Sequence, residues 1–147
     1  MKLKIAWIGK TKESAIRALT DEYLRRIARY ADVEGLQLPD EAALLKLRER
    51  SGNRPAHTLV VLDPNGKQLS SEEFAQFLQA HQDRNPQPLV LAIGPADGFS
   101  EAARKAAAGS ISFGKMTLAH ELARIVLLEQ VYRAFTILQG HPYHTGH

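Results

Sequence analysis

Cysteine is absent from all 147 residues, which removes disulfides, thiolate metal sites and a cysteine nucleophile together. No apolar run approaches the roughly 20 residues that cross a bilayer, so no membrane partner is expected. The N-terminus, Met1-Lys2-Leu3-Lys4-Ile5, passes directly into a strand pattern rather than a cleavable leader, and a cytoplasmic location is expected. Neither GxxxxGK[ST] nor a GxGxxG after the first strand occurs, so the chain is not built around a nucleotide triphosphate. Internal repeats and low-complexity segments are also missing.

What remains is ordinary for one soluble domain over 1–147. Apolar residues make up 44% and charged residues 24%, and a chain of this length buries about two-thirds of its unfolded surface. Net charge is +3 and the isoelectric point near 9.3. That excess suits a polyanionic partner without requiring one. Arg17, Arg25, Arg26 and Arg29 share the polar face of the first expected helix, either as a solvated face or as an RNA-contacting stripe.

Strand and helix signals alternate along the whole chain. Strands are expected over 3–8, 33–38, 58–62, 89–93 and 110–113; helices are expected from 11, over 41–50, from a Ser70 cap, from a Ser100 cap through 108, and over 118–138. The continuous β-rich runs 58–62 and 89–93 are those of strands buried on both faces. Alternation of this kind predicts an α/β domain with a mainly parallel sheet and helices on both faces. Ligands of such sheets gather beyond the carboxyl ends of the strands. Three strands end in turn-forming residues, Leu62-Asp63-Pro64, Ile93-Gly94-Pro95 and Phe113-Gly114-Lys115. Each turn alone is explained by strand termination. Together on one edge they make a pocket whose backbone groups can read a purine-like edge, with Leu62, Ile93, Met116 and Leu118 as apolar walls.

The last helix is apolar around more of its circumference than one sheet face requires, from Leu118, Leu122, Ile125 and Val126 to Phe135, Ile137 and Leu138. A second copy of the chain in a two-fold dimer accounts for the excess; full enclosure in a monomer is the other solution. Glu129 and Arg133, four apart, are placed to pair with each other. Gly140 and Pro142 end the helix. The tail that follows, His141-Pro142-Tyr143-His144-Thr145-Gly146-His147, is a frayed terminus, a weak metal site built from His141, His144 and His147, or a carrier of Tyr143 and His144 into an active site.

Phe113-Gly114-Lys115-Met116-Thr117-Leu118, His120-Glu121-Leu122-Ala123-Arg124, Glu129-Gln130-Val131-Tyr132-Arg133-Ala134-Phe135 and Tyr143-His144 resemble the large-subunit pseudouridine N3-methyltransferases of the SPOUT superfamily. The likeness takes in Tyr23-Leu24-Arg25-Arg26, Leu62-Asp63 and Ile93-Gly94, and so runs the length of the chain. It implies a C-terminal trefoil knot, a homodimer, and S-adenosylmethionine bound by Leu62, Ile93, Gly94, Phe113, Gly114, Lys115, Met116, Thr117 and Leu118, with no metal. It further implies a substrate in 23S rRNA, a pseudouridine of helix 69 in the assembled ribosome. Tyr143 and His144 become candidates for positioning or deprotonating the base, and Arg124 for a place near the cofactor or an RNA phosphate. The chain departs from the family pattern at Pro95, where a second Gly is usual, at Ala119, where Pro is common, and at Thr145-Gly146-His147, which replaces a cation after Tyr-His. Arg25, Arg26 or His147 would have to compensate for that cation. A non-catalytic RNA- or ribosome-binding dimer and a metal-dependent hydrolase using the histidine tail are the competing readings.

Overall fold

The computed structural model describes residues 1–145; His147, one of the three tail histidines, lies outside the described residues. Five strands form a single all-parallel sheet: β1 (Lys2–Ile8), β2 (Asp32–Leu38), β3 (Thr58–Gln68), β4 (Leu89–Ile93) and β5 (Gly109–Ser112). Their spatial order is β2-β1-β4-β3-β5. The helices are α1 (Ser14–Ile27), α2 (Glu41–Lys46), α3 (Ser71–Arg84), α4 (Glu101–Ala106) and α5 (His120–Leu138). Every strand is thus followed by a helix, and parallel strands require such crossovers.

The two-residue period of the strands sorts their side chains into two cores. Leu3, Ile5 and Trp7 of β1 and Leu89, Leu91 and Ile93 of β4 pack with Ile27, Phe74, Leu78, Leu127, Leu128 and Val131 beneath α1, α3 and α5. Ala6, Leu59, Val61, Val90 and Ala92 point the other way, onto Leu44 and Leu47 near α2 and onto Phe99 and Ala103 near α4. Helices therefore cover both faces. All five residues of β4 are buried, which is why its sequence is a continuous apolar run rather than an alternating one.

Helix starts follow their local chemistry. Ser70 accepts from the Glu73 N–H at 3.0 Å while Glu73 accepts from the Ser70 N–H at 2.8 Å, a reciprocal cap. Ser100 caps α4 on one side only, accepting from the Ala103 N–H at 3.1 Å. Helix α5 is different, because Ala119 supplies no side-chain cap. It begins two residues later than the expected Leu118, and residues 113–119 form a loop.

The largest departure from expectation lies at 63–66. Asp63-Pro64-Asn65-Gly66 does not end β3. Leu62 and Lys67 both pair with Ile111 of β5, so the four residues bulge out and the chain then rejoins its neighbour. A Cβ on Gly66 would lie 2.8 Å from backbone atoms of Ile111, so a residue without a side chain is what lets the strand return. Pattern reading saw the turn chemistry but not the return. No helix among the described residues is long and apolar enough to cross a membrane.

Candidate active site

The bulge within β3 and the carboxyl ends of β4 and β5 surround a cavity of about 370 Å³, within the size range of small-molecule sites. Leu62, Ile93, Gly94, Phe113, Gly114, Met116, Thr117 and Leu118 line it. Lys115, the ninth residue of the expected set, is exposed and not among the lining residues. The bulge supplies Asp63, Pro64 and Asn65, the β4–α4 loop supplies Phe99, and α4 supplies Arg104. Sequence reasoning missed Arg104, which lies 3.8 Å from Asp63, because nothing local marks a helix residue as facing a distant strand end.

Gly94 shows why the wall is built of backbone. A Cβ there would meet the Phe99 ring at 3.1 Å, so the ring lies directly over the strand end and little room separates them. The cavity combines such close backbone with apolar walls and one shielded ion pair, Asp63–Arg104. That donor set fits a flat heterocycle held by backbone and apolar contacts.

Beside the cavity, α5 is tied to the loop between β1 and α1. Glu121, 8% exposed, accepts hydrogen bonds from the Lys12 and Glu13 N–H groups at 3.1 and 3.2 Å. Those bonds, the Lys12 one foremost, hold its carboxyl below the usual range. One turn on, Arg124 is 2% exposed. Its guanidinium donates to Thr11 at 2.9 Å and Thr20 at 3.3 Å, and its centre lies 4.0 Å from the Trp7 ring centroid. Burial pushes its pKa down. The cavity is lined not by Arg124 but by its helix neighbours His120 and Ala123; the Arg124 side chain is engaged in the core.

The tail is folded, not frayed, over residues 141–145. Gly140 at φ +68° closes a double hydrogen-bonded cap, with His141 N–H to Thr136 and Gly140 N–H to Ile137. The chain is thereby sent back along α5. Tyr143 donates its hydroxyl to Glu129 at 2.7 Å and sits edge-on to Tyr132 at 4.8 Å. Arg133 pairs with Glu129 at 2.8 Å, as the i, i+4 spacing predicts. It also donates to His144 Nδ1 at 2.9 Å. With Nδ1 accepting, the His144 proton resides on Nε2, which donates to Glu72 at 2.6 Å. Burial and then the Glu129 hydrogen bond push Tyr143 up to about 12. Burial opposes ionisation of Glu129, but Arg133 and Tyr143 together outweigh it and hold its pKa below the usual value.

Neither Tyr143 nor His144 lines the 370 Å³ cavity. A single chain brings together eight of the nine expected cofactor residues and leaves the expected Tyr-His pair on the other side of β5. His141 is engaged locally, its Nδ1 accepting from the Tyr143 N–H at 3.1 Å, and among the described residues no three acidic or histidine side chains cluster as a metal site.

Comparison with known proteins decides the lineage. The family model described as "Predicted SPOUT methyltransferase" matches residues 1–144. The chain belongs to the SPOUT methyltransferase family. This SPOUT methyltransferase is 58% identical over 147 residues to the ribosomal RNA large subunit methyltransferase H of Koribacter versatilis, covering 100% of both chains. It is 46% identical over 152 aligned positions to the protein of the same name from Geotalea daltonii, covering 98% of this chain and 99% of that one. Among solved structures it resembles the SpoU methyltransferase AviRb from Streptomyces viridochromogenes in complex with AdoMet, with a TM-score of 0.53 at 16% identity over 90% of this chain and 57% of that one. The Legionella pneumophila protein Lpg2936, solved in complex with bound SAM, matches with a TM-score of 0.52 at 14% identity over 91% of this chain and 66% of that one. At those identities the likeness is one of fold.

Proposed function

We propose that this SPOUT methyltransferase transfers a methyl group from S-adenosylmethionine to N3 of a pseudouridine in helix 69 of 23S rRNA, acting in the cytoplasm as a homodimer on the assembled ribosome. The observation that carries the reading is the cavity at the β3 bulge and the ends of β4 and β5, lined by Leu62, Ile93, Gly94 and the run Phe113-Gly114 with Met116, Thr117 and Leu118. Its support in lineage is the full-length identity to relatives named for large-subunit rRNA methylation. Membership of the family also supports the trefoil knot expected from sequence.

Bound S-adenosylmethionine supplies a methyl made electrophilic by its sulfonium, so no metal is required. The protein's own task is placement. Backbone at Gly94 and Gly114 would hold the heterocycle, Phe99 and Leu118 would screen it from water, and Asp63, paired with Arg104, would stand at the cavity edge. Glu121 and Arg124 fix the start of α5, and with it the loop 113–119, against β1 and α1; both are positioning residues.

In the single chain Tyr143 is a hydrogen-bond donor with its pKa near 12, and both nitrogens of His144 are engaged. The tail in this arrangement orients groups; the N3 proton passes to His144 Nδ1 only once Arg133 has released it, and to water otherwise. An apolar patch of Phe113, Met116, Leu118 and Leu122, the last two 39% and 53% exposed, surrounds the start of α5. It supports the homodimer, since burying it removes large apolar side chains from water.

Mass spectrometry of large-subunit rRNA from a strain lacking this protein tests the reading. One pseudouridine without its methyl is expected, restored by the returned gene; an unchanged modification profile sinks it. The second reading, a non-catalytic RNA-binding dimer, is favoured by one observation, the separation of Tyr143 and His144 from the cavity. Absence of S-adenosylmethionine binding in a calorimetric titration would select it.

A further inference from the structure

Two charges of opposite sign face each other at the rim of the cavity. Asp63 stands in the β3 bulge and Arg104 on the last turn of α4, with Arg104 Nε 3.8 Å from Asp63 Oδ2. That separation is too long for a hydrogen bond. Arg104 Nη1 donates to the Phe99 carbonyl at 3.0 Å, and Asp63 Oδ1 accepts from the Asn65 N–H at 3.4 Å. Among the described residues neither side chain makes a further hydrogen bond, so most of the guanidinium fork and Asp63 Oδ2 stay open to a ligand. We propose that this pair reads the amino-acid end of the methyl donor, Arg104 taking its α-carboxylate and Asp63 its α-ammonium. The proposal rests on the methyltransferase reading above and names the residues that give that site its ligand specificity.

The chemistry of the walls assigns the parts of the donor. Adenine and ribose are uncharged, and the close backbone and apolar surfaces at Gly94, Phe99 and Leu118 suit them. The amino-acid end is a zwitterion, which is matched by a site presenting both signs. Among the residues that line the cavity, Arg104 alone carries a fixed positive charge. Asp97 and His120 are the other ionisable ones, Asp97 lying exposed on the β4–α4 loop. A carboxylate attracts either cation of the donor, its sulfonium or its ammonium. A guanidinium takes the carboxylate alone, through a planar fork that fits both oxygens, so Arg104 sets the direction in which the ligand lies.

The pair is also held where it can change partners. The Arg104 side chain is 41% exposed and that of Asp63 11%, and an ion pair so open to water contributes little. Exchanging it for hydrogen-bonded contacts with a zwitterion therefore favours the bound state. The helix that carries Arg104 is fixed from behind. Glu41 of α2 accepts from the Ser100 N–H at 2.8 Å and from its hydroxyl at 2.6 Å, and Ala103, beside Arg104, is fully buried.

Calorimetric titration of the full chain tests the assignment with S-adenosylmethionine, its decarboxylated form, and 5′-methylthioadenosine, which lacks the whole amino-acid end. The wild type should bind S-adenosylmethionine at least about tenfold more tightly than either truncated ligand, the effect of one charge-assisted contact. Arg104→Met should weaken S-adenosylmethionine about tenfold and leave both truncated ligands within about twofold of their wild-type affinities. Asp63→Asn should weaken S-adenosylmethionine and its decarboxylated form together and spare 5′-methylthioadenosine. An equal loss for all three ligands in Arg104→Met would make that residue a prop for the Phe99 loop and overturn the assignment. So would unchanged affinities in both variants, or a wild type that binds all three ligands alike, a comparison that needs no variant to fold. A wild type that binds none of them overturns the methyltransferase reading and this proposal together, whereas binding without discrimination overturns this proposal alone.

Discussion

The two ends of α5 hold their neighbours by different means. At its start, Glu121 and Arg124 reach across more than a hundred positions of sequence to Lys12, Glu13, Thr11 and Thr20, and both are buried. Towards its other end, from the middle turn on, Glu129 and Arg133 hold a tail that follows within 14 residues, through side chains about one-fifth exposed. The first arrangement is part of the core, and undoing it means disturbing the sheet. The second is a surface latch of hydrogen bonds and an ion pair that water can replace, with a ring contact of Tyr143 against Tyr132. Rigid cofactor walls and a releasable tail are what an enzyme needs if the cofactor site is to stay formed while a large RNA is taken up.

Arg124→Ala should break the contrast most severely. It deletes one of the largest fully buried side chains, leaves Thr11, Thr20 and the Trp7 face without their partner, and should cost about 3 kcal/mol in denaturant unfolding. Arg133→Ala should cost no more than about 1 kcal/mol, so equal losses would dissolve the distinction between core and latch. Glu121→Gln should come next. It retains shape but weakens acceptance from the Lys12 and Glu13 N–H groups, and should lower S-adenosylmethionine affinity several-fold with little change in transfer rate once saturated.

Tyr143→Phe should leave the fold and cofactor affinity intact and cost roughly 1 kcal/mol of tail attachment, read as faster hydrogen exchange at Tyr143 and His144 but not at α5's buried turns. The latch should also titrate. The folded pKa of Tyr143 is raised, so its contribution is complete below the ordinary tyrosine value of 10.0 and is lost as pH rises through about 12. Glu129 is shifted the other way, so its contribution is present above the ordinary value of 4.5 and disappears as pH falls through its lowered one. Tyrosinate absorbance compared between wild type and Tyr143→Phe checks the alkaline side. The smallest effect expected is spectroscopic: ¹⁵N signals of His144 should report a proton on Nε2 and an accepting Nδ1, and Arg133→Ala should mix the tautomers.

The same contrast explains what could be read from the sequence. The parallel α/β class was legible because 58–62 and 89–93 are apolar without alternation, and the site edge because Ile93-Gly94 and Phe113-Gly114 follow two strands and Leu62-Asp63 carries turn chemistry, though it opens a bulge rather than ending β3. Local caps and the Glu129–Arg133 pair were legible for the same reason, since both are written in short spacings. Contacts made at long sequence separation were not. Nothing near Arg124 foretells Trp7, and nothing near Asp63 foretells Arg104 or the return of β3 after its bulge, which depends on Gly66 meeting the Ile111 backbone. The tail was legible as chemistry but not as geometry. Its residues identify the family, yet their partners Glu72, Glu129 and Arg133 lie across β5 from the cavity they were expected to enter.

The central claim is that the bulge of β3 and the turns after β4 and β5 hold the methyl donor. Calorimetric titration of the wild type and of Gly94→Val with S-adenosylmethionine tests it most directly, with circular dichroism confirming that both are folded. Saturable binding by the wild type and at least tenfold weaker binding by Gly94→Val is the predicted outcome, because the added side chain must displace Phe99 from the cavity wall. Equal affinities would place the donor elsewhere and contradict the account.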